Sequence, residues 1–470
     1  MQTWQPERSP TEGASVNENA EVIVVGMGPG GEDAAGRLAE AGHDVIGIDA
    51  ELVGGECPYW GCIPSKMIIR AANLLAEAER IPGMAGSVEV RPDWGPVARR
   101  IRDEATDNWD DAVAAKRFED KGGRLVRGWA HLDGATRVVV GDRTFEASRA
   151  VVLATGTRPW IPPIEGLAGT PYWTNREAVA AEEIPGSLAV IGGGAIGVEL
   201  AQAFSRFGSN VTVIEATPSL VGPEEPEAGT MLAETFSAEG IEVLTDSAVT
   251  AVSHDGRRFA ITLGSGGVVD TQRLLVAVGR RVDLSRIKTS TIGIDESARS
   301  LPVDDHLRVQ GADRVWAIGD ITGKGAFTHM SMYQADIVVN DILGREVVPA
   351  DYRAVPRVTF TDPEIGSVGF TERDARSQGL VVRVGSAQIP GSARGWIHKA
   401  GNQGFIKLVE DAERGILVGA TSAGPWGGEV LGLLTLAVYA EIPTQLLRNM
   451  IYAYPTFHRA IESALADLHE

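Results

Sequence analysis

Glu21-Val22-Ile23-Val24-Val25-Gly26-Met27-Gly28-Pro29-Gly30-Gly31 decides the fold of this 470-residue chain. A short apolar run rich in β-branched residues breaks at once into glycines, then into an alanine-rich helical stretch from Asp33 to Ala41. A second apolar run, Asp44-Val45-Ile46-Gly47-Ile48, ends on Asp49. Gly26, Gly28 and Gly31 spell G-x-G-x-x-G. The first glycine serves a tight turn, the second a close backbone approach to a pyrophosphate, the third the packing of helix on strand. The helix N-terminus presents free N–H groups to the phosphates, and Asp49 at the strand tip accepts from a ribose hydroxyl. Strand, helix and terminal acid together predict a dinucleotide-binding βαβ unit.

The pattern recurs. Leu188-Ala189-Val190-Ile191 runs into Gly192-Gly193-Gly194-Ala195-Ile196-Gly197, then a helix through Phe207, then Asn210-Val211-Thr212-Val213-Ile214 ending on Glu215. Gly192, Gly194 and Gly197 repeat the glycine spacing. Glu215 accepts from a 2′-hydroxyl and repels a 2′-phosphate, and no arginine follows it in Ala216-Thr217-Pro218, which favours NADH over NADPH. The fold class is therefore α/β, with two Rossmann-like dinucleotide-binding domains.

Between the two units, alternation from Thr136 to Phe145 predicts an antiparallel excursion, followed by the strand and turn Val151-Val152-Leu153-Ala154-Thr155-Gly156. A related strand and turn, Leu274 to Gly279, closes the second unit, and Val315-Trp316-Ala317-Ile318-Gly319-Asp320 precedes a helix predicted over His329 to Leu343. From about Pro349, strand-like runs (Arg357 to Phe360, Gly404 to Val409, Ile416 to Ala420) and amphipathic helices (Gly428 to Ala440, Pro455 to Asp467) predict a C-terminal α+β domain. The expected divisions are a disordered tail over 1–19, the first domain over 20–157 and again over 281–348, the second over 158–280, and the last over 349–470.

Composition is that of an ordinary globular protein, 44% hydrophobic and 23% charged, and the length calls for several cores. A net charge of −20 argues against nucleic acid or an anionic membrane surface as partner. No apolar run approaches the ~18–20 residues of a membrane span, and the polar first residues lack the pattern of an export signal, so a cytoplasmic location is expected.

The chain contains two cysteines, both in Gly54-Gly55-Glu56-Cys57-Pro58-Tyr59-Trp60-Gly61-Cys62-Ile63-Pro64-Ser65-Lys66. A structural disulfide closing so short a loop contributes only roughly 2 kcal/mol on the loop-entropy account. Zinc needs four ligands, and no further cysteine and no nearby histidine completes the set. Two unrelated core thiols are a third alternative. A redox-active dithiol is the favoured reading, since cytosolic disulfides are usually transient and catalytic. A thiolate is the competent species, and a helix N-terminus with Lys66, one of seven lysines against 36 arginines, would favour it. No metal site is expected.

These motifs, with Phe360-Thr361-Asp362-Pro363-Glu364 opening the last domain, resemble in order those of the class I pyridine nucleotide–disulfide oxidoreductases, among them lipoamide dehydrogenase and mercuric reductase. The similarity spans nearly the whole chain after the tail. It implies FAD at the first glycine motif, NAD at the second, and a homodimer built by the C-terminal domain. By position, Cys62 resembles the thiol that faces the flavin and Cys57 the interchange thiol. Lys66 would lie near the flavin and pair with Glu199. For FAD the resemblance adds Gly30, Gly55, Ala130, Thr155, Gly156, Gly319, Asp320 (holding the ribitol chain), Thr328 and His329. For NAD it adds Val249 and Gly279. Electrons would pass from NADH through FAD to the Cys57–Cys62 disulfide and on to a small-molecule acceptor.

The chain departs from that pattern at the acid–base dyad. Where the family carries His-Pro-Thr-x-x-Glu, the segment reads Tyr454-Pro455-Thr456-Phe457-His458-Arg459, so the histidine position is Tyr454 and the glutamate position Arg459. A histidine near pKa ~6.5 takes a proton at neutral pH, whereas a tyrosine near ~10 serves poorly. General acid–base assistance is typically worth roughly 10²–10⁴-fold, so efficient lipoamide or glutathione turnover is doubted. His458 is an alternative proton carrier. Mercuric reductase is similar in having a tyrosine there, but it also has a C-terminal cysteine pair, which this chain lacks. Glu56 replaces the usual threonine, and Trp60, Tyr452 and Tyr454 suggest an aromatic mouth for a flat acceptor. The alternatives are a quinone reductase acting from the flavin, a dihydrolipoyl dehydrogenase or mercuric-reductase-like enzyme, and a redox-sensing flavoprotein without turnover.

Overall fold

The computed structural model describes residues 16–469. Of the predicted tail, residues 1–15 lie outside the described residues. The remaining four are not a tail: the first strand is Val16–Val25, and its leading residues pair in parallel with Arg143 to Glu146. The apolar pattern had marked only the buried end of this strand, because Glu18 stays at the surface and pairs with Arg143.

The chain divides into two compact units. The first contains the residues up to Gly55 together with Asp111–Thr157 and Val282–Ala350. Its sheet runs in the order Arg124–Arg127, Val45–Asp49, Val16–Val25, Arg143–Leu153, Arg137–Val140, Ala130–Leu132, with Val315–Ala317 also paired to Arg143–Leu153. The strands from Arg124–Arg127 to Arg143–Leu153, and Val315–Ala317, pair in parallel, while Arg137–Val140 and Ala130–Leu132 form the antiparallel excursion foreseen near Thr136. Val22, Ile23 and Val24 are fully buried, as a central parallel strand covered on both faces requires. Each such side chain contributes roughly 1.5–3 kcal/mol on burial. Helix Pro29–Glu40 packs on helix Thr328–Ile342, with a Cβ at Gly30 coming to 2.7 Å of the Ser331 carbonyl oxygen.

The second unit contains Glu56–Asp110, Arg158–Arg281 and Asp351–Glu470. Here the structure divides the chain differently from the sequence reading, which left residues 56–110 inside the first domain. The apolar stripe of helix Cys62–Glu79, Ile68 and Ala72, is fully buried in one core with Val198, Leu200, Ala201 and Phe204 of helix Ala195–Arg206. Burial of that stripe, not chain continuity, places the segment.

A four-stranded parallel sheet in the order Glu242–Leu244, Asn210–Ile214, Ser187–Ile191, Arg273–Val276 carries the second glycine motif. The C-terminal part is a five-stranded antiparallel sheet, Pro356–Thr359, Glu364–Gly369, Ile416–Gly424, Phe405–Asp411, Val382–Gln388, covered by helices Gly427–Tyr439 and Ala460–Ala466. The last helix starts later than its periodicity suggested. Thr456 is extended and Phe457–Arg459 form a 3₁₀ turn, so His458 sits in that turn and not on a helix face. Within this unit Lys407 is a buried ammonium held by Glu227 at 2.7 Å, Glu225 at 2.9 Å and Glu372 at 3.1 Å. No helix among the described residues is long and apolar enough to cross a membrane.

Candidate active site

In the first unit, Gly26 has φ +94, and a Cβ there would overlap the Ala154 carbonyl; one at Gly31 would overlap the Gly26 carbonyl. Around Gly28 the opposite holds: a Cβ would meet nothing within 4 Å, and its extended backbone caps helix Pro29–Glu40 without any side-chain bond. The turn is thus tight where chain meets chain and open at the helix N-terminus, where a pyrophosphate needs space and N–H groups. Asp49 fixes the loop by accepting from Met27 N at 2.7 Å and Glu51 N at 2.7 Å. Burial raises its carboxyl pKa above the usual range against those two bonds. Gly55 (φ +67) lies against the Gly28 backbone, with its Cβ position 2.8 Å from Gly28 Cα.

The other flavin-site candidates in this unit occupy three places. Thr155 and Gly156 (φ +63) lie in the turn after strand Arg143–Leu153, where Thr157 Oγ1 donates to Asp320 Oδ2 at 2.6 Å. Gly319 (φ +79) donates its N–H to Gln334 Oε1 at 2.6 Å, which anchors the Asp320 turn to helix Thr328–Ile342. Thr328 opens that helix, His329 stacks on Phe327 with centroids 5.2 Å apart, and Ala130 is buried at the start of strand Ala130–Leu132. These residues fit a dinucleotide. They give a glycine cradle with an open N-terminus, a strand-tip acid on the ribose side and a second carboxylate in the first unit.

The second unit repeats the cradle. Gly192 has φ +112 and would clash with the Ala277 carbonyl if it bore a Cβ, Gly197 would clash with the Gly192 carbonyl, and Gly194 faces open space. Glu215 Oε2 accepts from Gly193 N at 2.6 Å and Oε1 from Thr217 N at 2.8 Å. Gly279 (φ +110) accepts through its carbonyl from Trp160 N at 2.9 Å, and Val249 opens strand Val249–His254 half-buried in the core beside it.

Cys57 lies in the one-turn helix Glu56–Tyr59, half-buried, and Cys62 is the exposed first residue of helix Cys62–Glu79. The helix N-terminus favours a thiolate at Cys62. One turn along, Lys66 Nζ donates to Glu199 Oε2 at 2.8 Å and lies 4.6 Å from the Phe360 ring centroid. Glu199 is almost wholly buried, and its Oε1 takes Phe360 N at 2.8 Å. The Lys66–Glu199 pair expected from the resemblance is therefore brought together, and its partner from the last domain is Phe360.

The expected aromatic mouth is altered at two of its three residues. Tyr452 does not line a mouth: it is 4% exposed, its hydroxyl donates to Leu447 O at 3.1 Å, and burial with the nearby Glu462 carboxylate raises its phenol pKa. Its apolar neighbours in the sheet–helix core claim the ring. Trp60 packs on Trp109, with centroids 5.4 Å apart. Tyr454 alone is open, 71% exposed, with the Arg459 guanidinium carbon 5.5 Å from its ring centroid. His458 Nε2 lies 3.4 Å from Thr456 Oγ1. The sequence reading missed Asn175, Arg176 and Arg280, which bind the thiol turn from afar; only the unusual Glu56 hinted that something basic must face it.

Residues 20–335 match the pyridine nucleotide–disulphide oxidoreductase family and residues 355–465 its dimerisation domain. The chain is 31% identical to the mercuric reductase of Shewanella putrefaciens, over 94% of this chain and 79% of that one. It is also 31% identical to the dihydrolipoyl dehydrogenase of Thermus scotoductus, over 96% and 97%. Among solved structures, the HOCl-induced flavoprotein disulfide reductase RclA of Escherichia coli superposes with a TM-score of 0.83 at 25% identity, covering 96% of this chain and 99% of that one. LpdA of Mycobacterium tuberculosis gives 0.82 at 25%, with the same coverage. Two family models that together cover most of the chain, and relatives matched over nearly all of it, thus show that the chain belongs to the class I pyridine nucleotide–disulfide oxidoreductases.

Proposed function

We propose that this protein is an FAD-dependent, NADH-oxidising enzyme whose Cys57–Cys62 pair passes an electron pair to a small-molecule acceptor. The observation that carries the reading is the cysteine pair at the N-terminus of helix Cys62–Glu79, with Lys66 one turn away and paired to the buried Glu199. Bound FAD supplies two-electron transfer between a reduced nicotinamide and the thiol pair. Gly26, Gly28, Gly31 and Asp49 hold its pyrophosphate and ribose, with Asp320 for the ribitol chain. Gly192, Gly194, Gly197 and Glu215 hold NADH, and the Glu215 carboxylate, with alanine following it, disfavours a 2′-phosphate.

In this reading the N-terminus of helix Cys62–Glu79 favours a thiolate at Cys62, with Lys66 one turn along the same helix. Cys57, on the separate turn, is the sulfur that meets the acceptor. A homodimer accords with the matched dimerisation domain and with the exposure of Leu436, Tyr439, Leu446, Ile451 and Tyr454 on the C-terminal part. The test is anaerobic NADH addition to the oxidised, flavin-loaded protein, followed by thiol alkylation. Two thiols gained per chain are expected; none gained removes the reading.

One observation favours a second route. The family's usual His–Glu dyad is replaced and Tyr454 is open to solvent beside Arg459, so thiol–disulfide exchange with a neutral disulfide lacks its customary histidine. A quinone accepting directly from the flavin needs no such residue. Quinone reduction that survives Cys62→Ser supports this route, and a preference for lipoamide that Cys62→Ser abolishes removes it.

A further inference from the structure

Glu56 directly precedes Cys57, and its carboxylate is engaged on both oxygens. Oε1 accepts from Arg176 Nε at 3.0 Å and from the Nη2 of the same guanidinium. Oε2 takes Asn175 Nδ2 at 3.3 Å and Arg280 Nη1 at 3.5 Å. Asn175 also donates to Trp60 O at 2.7 Å, and the Arg176 guanidinium carbon lies 5.5 Å from the Trp60 ring centroid. Two adjacent residues of helix Asn175–Val179 thus grip both ends of the segment from Glu56 to Trp60, with Cys57 inside it. From another side, Trp109 stacks on Trp60 and donates Nε1 to Tyr59 O at 3.3 Å. Trp109 ends a run of three left-handed residues, Asp107, Asn108 and Trp109 (φ 46, 56 and 57), after the π-helical turn Arg100–Ala105. A run so disfavoured persists only where its surroundings hold it.

We propose that Glu56 is a positioning residue which neutralises Arg176 and Arg280 beside the thiol pair and thereby sets how readily the Cys57–Cys62 disulfide is reduced. This rests on the reading of the pair as redox-active. The Glu56 carboxylate contacts both guanidinium groups; without its negative charge the local field on the sulfurs becomes more positive, favours thiolate and stabilises the reduced form. Other charges around the turn have their own arrangement. Lys66 is matched by Glu199, Arg206 by Glu239 and Asp362, Arg100 by Glu104, and Arg102 by Asp103. Arg281 lies over Trp160, Arg158 shares its two-stranded ribbon, and Asp107 and Asp110 flank Trp109. Glu56 is the carboxylate that the two arginines share.

The test uses the full-length, flavin-loaded protein in glutathione redox buffers. There, two glutathione thiols reduce the disulfide to two cysteine thiols while one glutathione disulfide forms, conserving electrons and protons. Glu56→Gln is expected to shift the equilibrium at least tenfold toward the dithiol, about 30 mV for a two-electron couple. It should also move the midpoint of iodoacetamide alkylation to lower pH. Arg176→Gln and Arg280→Gln are expected to shift both readouts the other way, and the pair Glu56→Gln with Arg176→Gln to return near the parent. Mere loosening of the turn would move Glu56→Gln and Arg176→Gln in the same direction, which overturns the proposal, as does no shift in either. If Glu56→Gln does not fold, Arg280→Gln decides: a shift toward the disulfide supports the proposal, and none overturns it. Neither readout uses NADH, so a failed NADH thiol count with the Glu56 shift intact overturns the proposed function alone.

Discussion

The two glycine cradles differ less in themselves than in what their helices carry. Gly26 and Gly192, Gly28 and Gly194, Gly31 and Gly197 occupy matching positions with matching clearances, and Asp49 and Glu215 each fix their loop through a backbone N–H. Seven residues after the first glycine stands Asp33 in one helix and Glu199 in the other. Asp33 makes a partly exposed pair with Arg37 at 3.4 Å, whereas Glu199 is buried between Lys66 and the Phe360 amide. Gly30 is buried against Ser331, while its counterpart Ile196 is 36% exposed. A shared phosphate cradle therefore says little about role. The neighbours of the helix behind it distinguish one site from the other.

That comparison breaks first at the cradles. Gly31→Ala forces a Cβ into the Gly26 carbonyl and is expected to abolish retained flavin, read from the visible absorbance of the purified protein. Gly197→Ala is expected to leave flavin content near that of the parent and to reduce NADH-driven thiol formation more than 100-fold. Equal flavin loss in both variants would mean that the cradles are not separate sites.

The helix pair gives the next largest difference. Glu199→Ala leaves the Lys66 ammonium and the Phe360 N–H without their acceptor, at an expected cost of about 2–3 kcal/mol in urea unfolding. Asp33→Ala removes a partly exposed i,i+4 pair worth about 0.5 kcal/mol or less. Comparable midpoints for the two variants would show that burial of Glu199 does not matter.

At the strand tips, Glu215→Ser combined with Ala216→Arg is expected to cut the proposed preference for NADH over NADPH by about tenfold or more in kcat/KM, or about 1.4 kcal/mol. An unchanged preference would remove Glu215 as the selector.

The smallest expected effect depends on pH. Burial opposes ionisation of Glu372, but bonds from Lys407 and Arg376 outweigh it and lower its pKa. A carboxylate lowered on folding contributes stability that is present above its unfolded value near ~4.3 and is lost as pH falls through the folded value. Glu372→Gln should therefore lower the melting temperature at pH 7, with the difference from the parent closing below about pH 4. Burial also opposes the charge on Lys407, yet Glu227 and Glu225 raise its pKa, so its contribution persists through neutral pH and fades only above roughly pH 10.4.

Much of this was legible in the chain because the relevant signals are local. Glycines at fixed spacing, the strand-tip acids Asp49 and Glu215, and two cysteines five positions apart are chemistry written within a few residues. The pairing of Lys66 with Glu199 was reached through family resemblance, since 133 positions separate them. Tyr452 was misjudged because an aromatic in a candidate mouth and an aromatic in a core read alike until packing is known. Residues 16–19 were misread as tail because their strand edge carries polar residues. Residues 56–110 were assigned by continuity, while the buried stripe of Ile68 and Ala72 decides their place.

By itself, then, the sequence determined two glycine-rich turns and a thiol pair, since each depends on covalent identity and short-range backbone geometry, while the departure from the usual acid–base dyad was legible only through the family resemblance. Only the tertiary structure decided which charges meet. Glu56 meets Arg176 and Arg280, Glu199 meets Lys66 and Phe360, and Lys407 meets three glutamates, because these contacts follow from how apolar faces pack and not from distance along the chain.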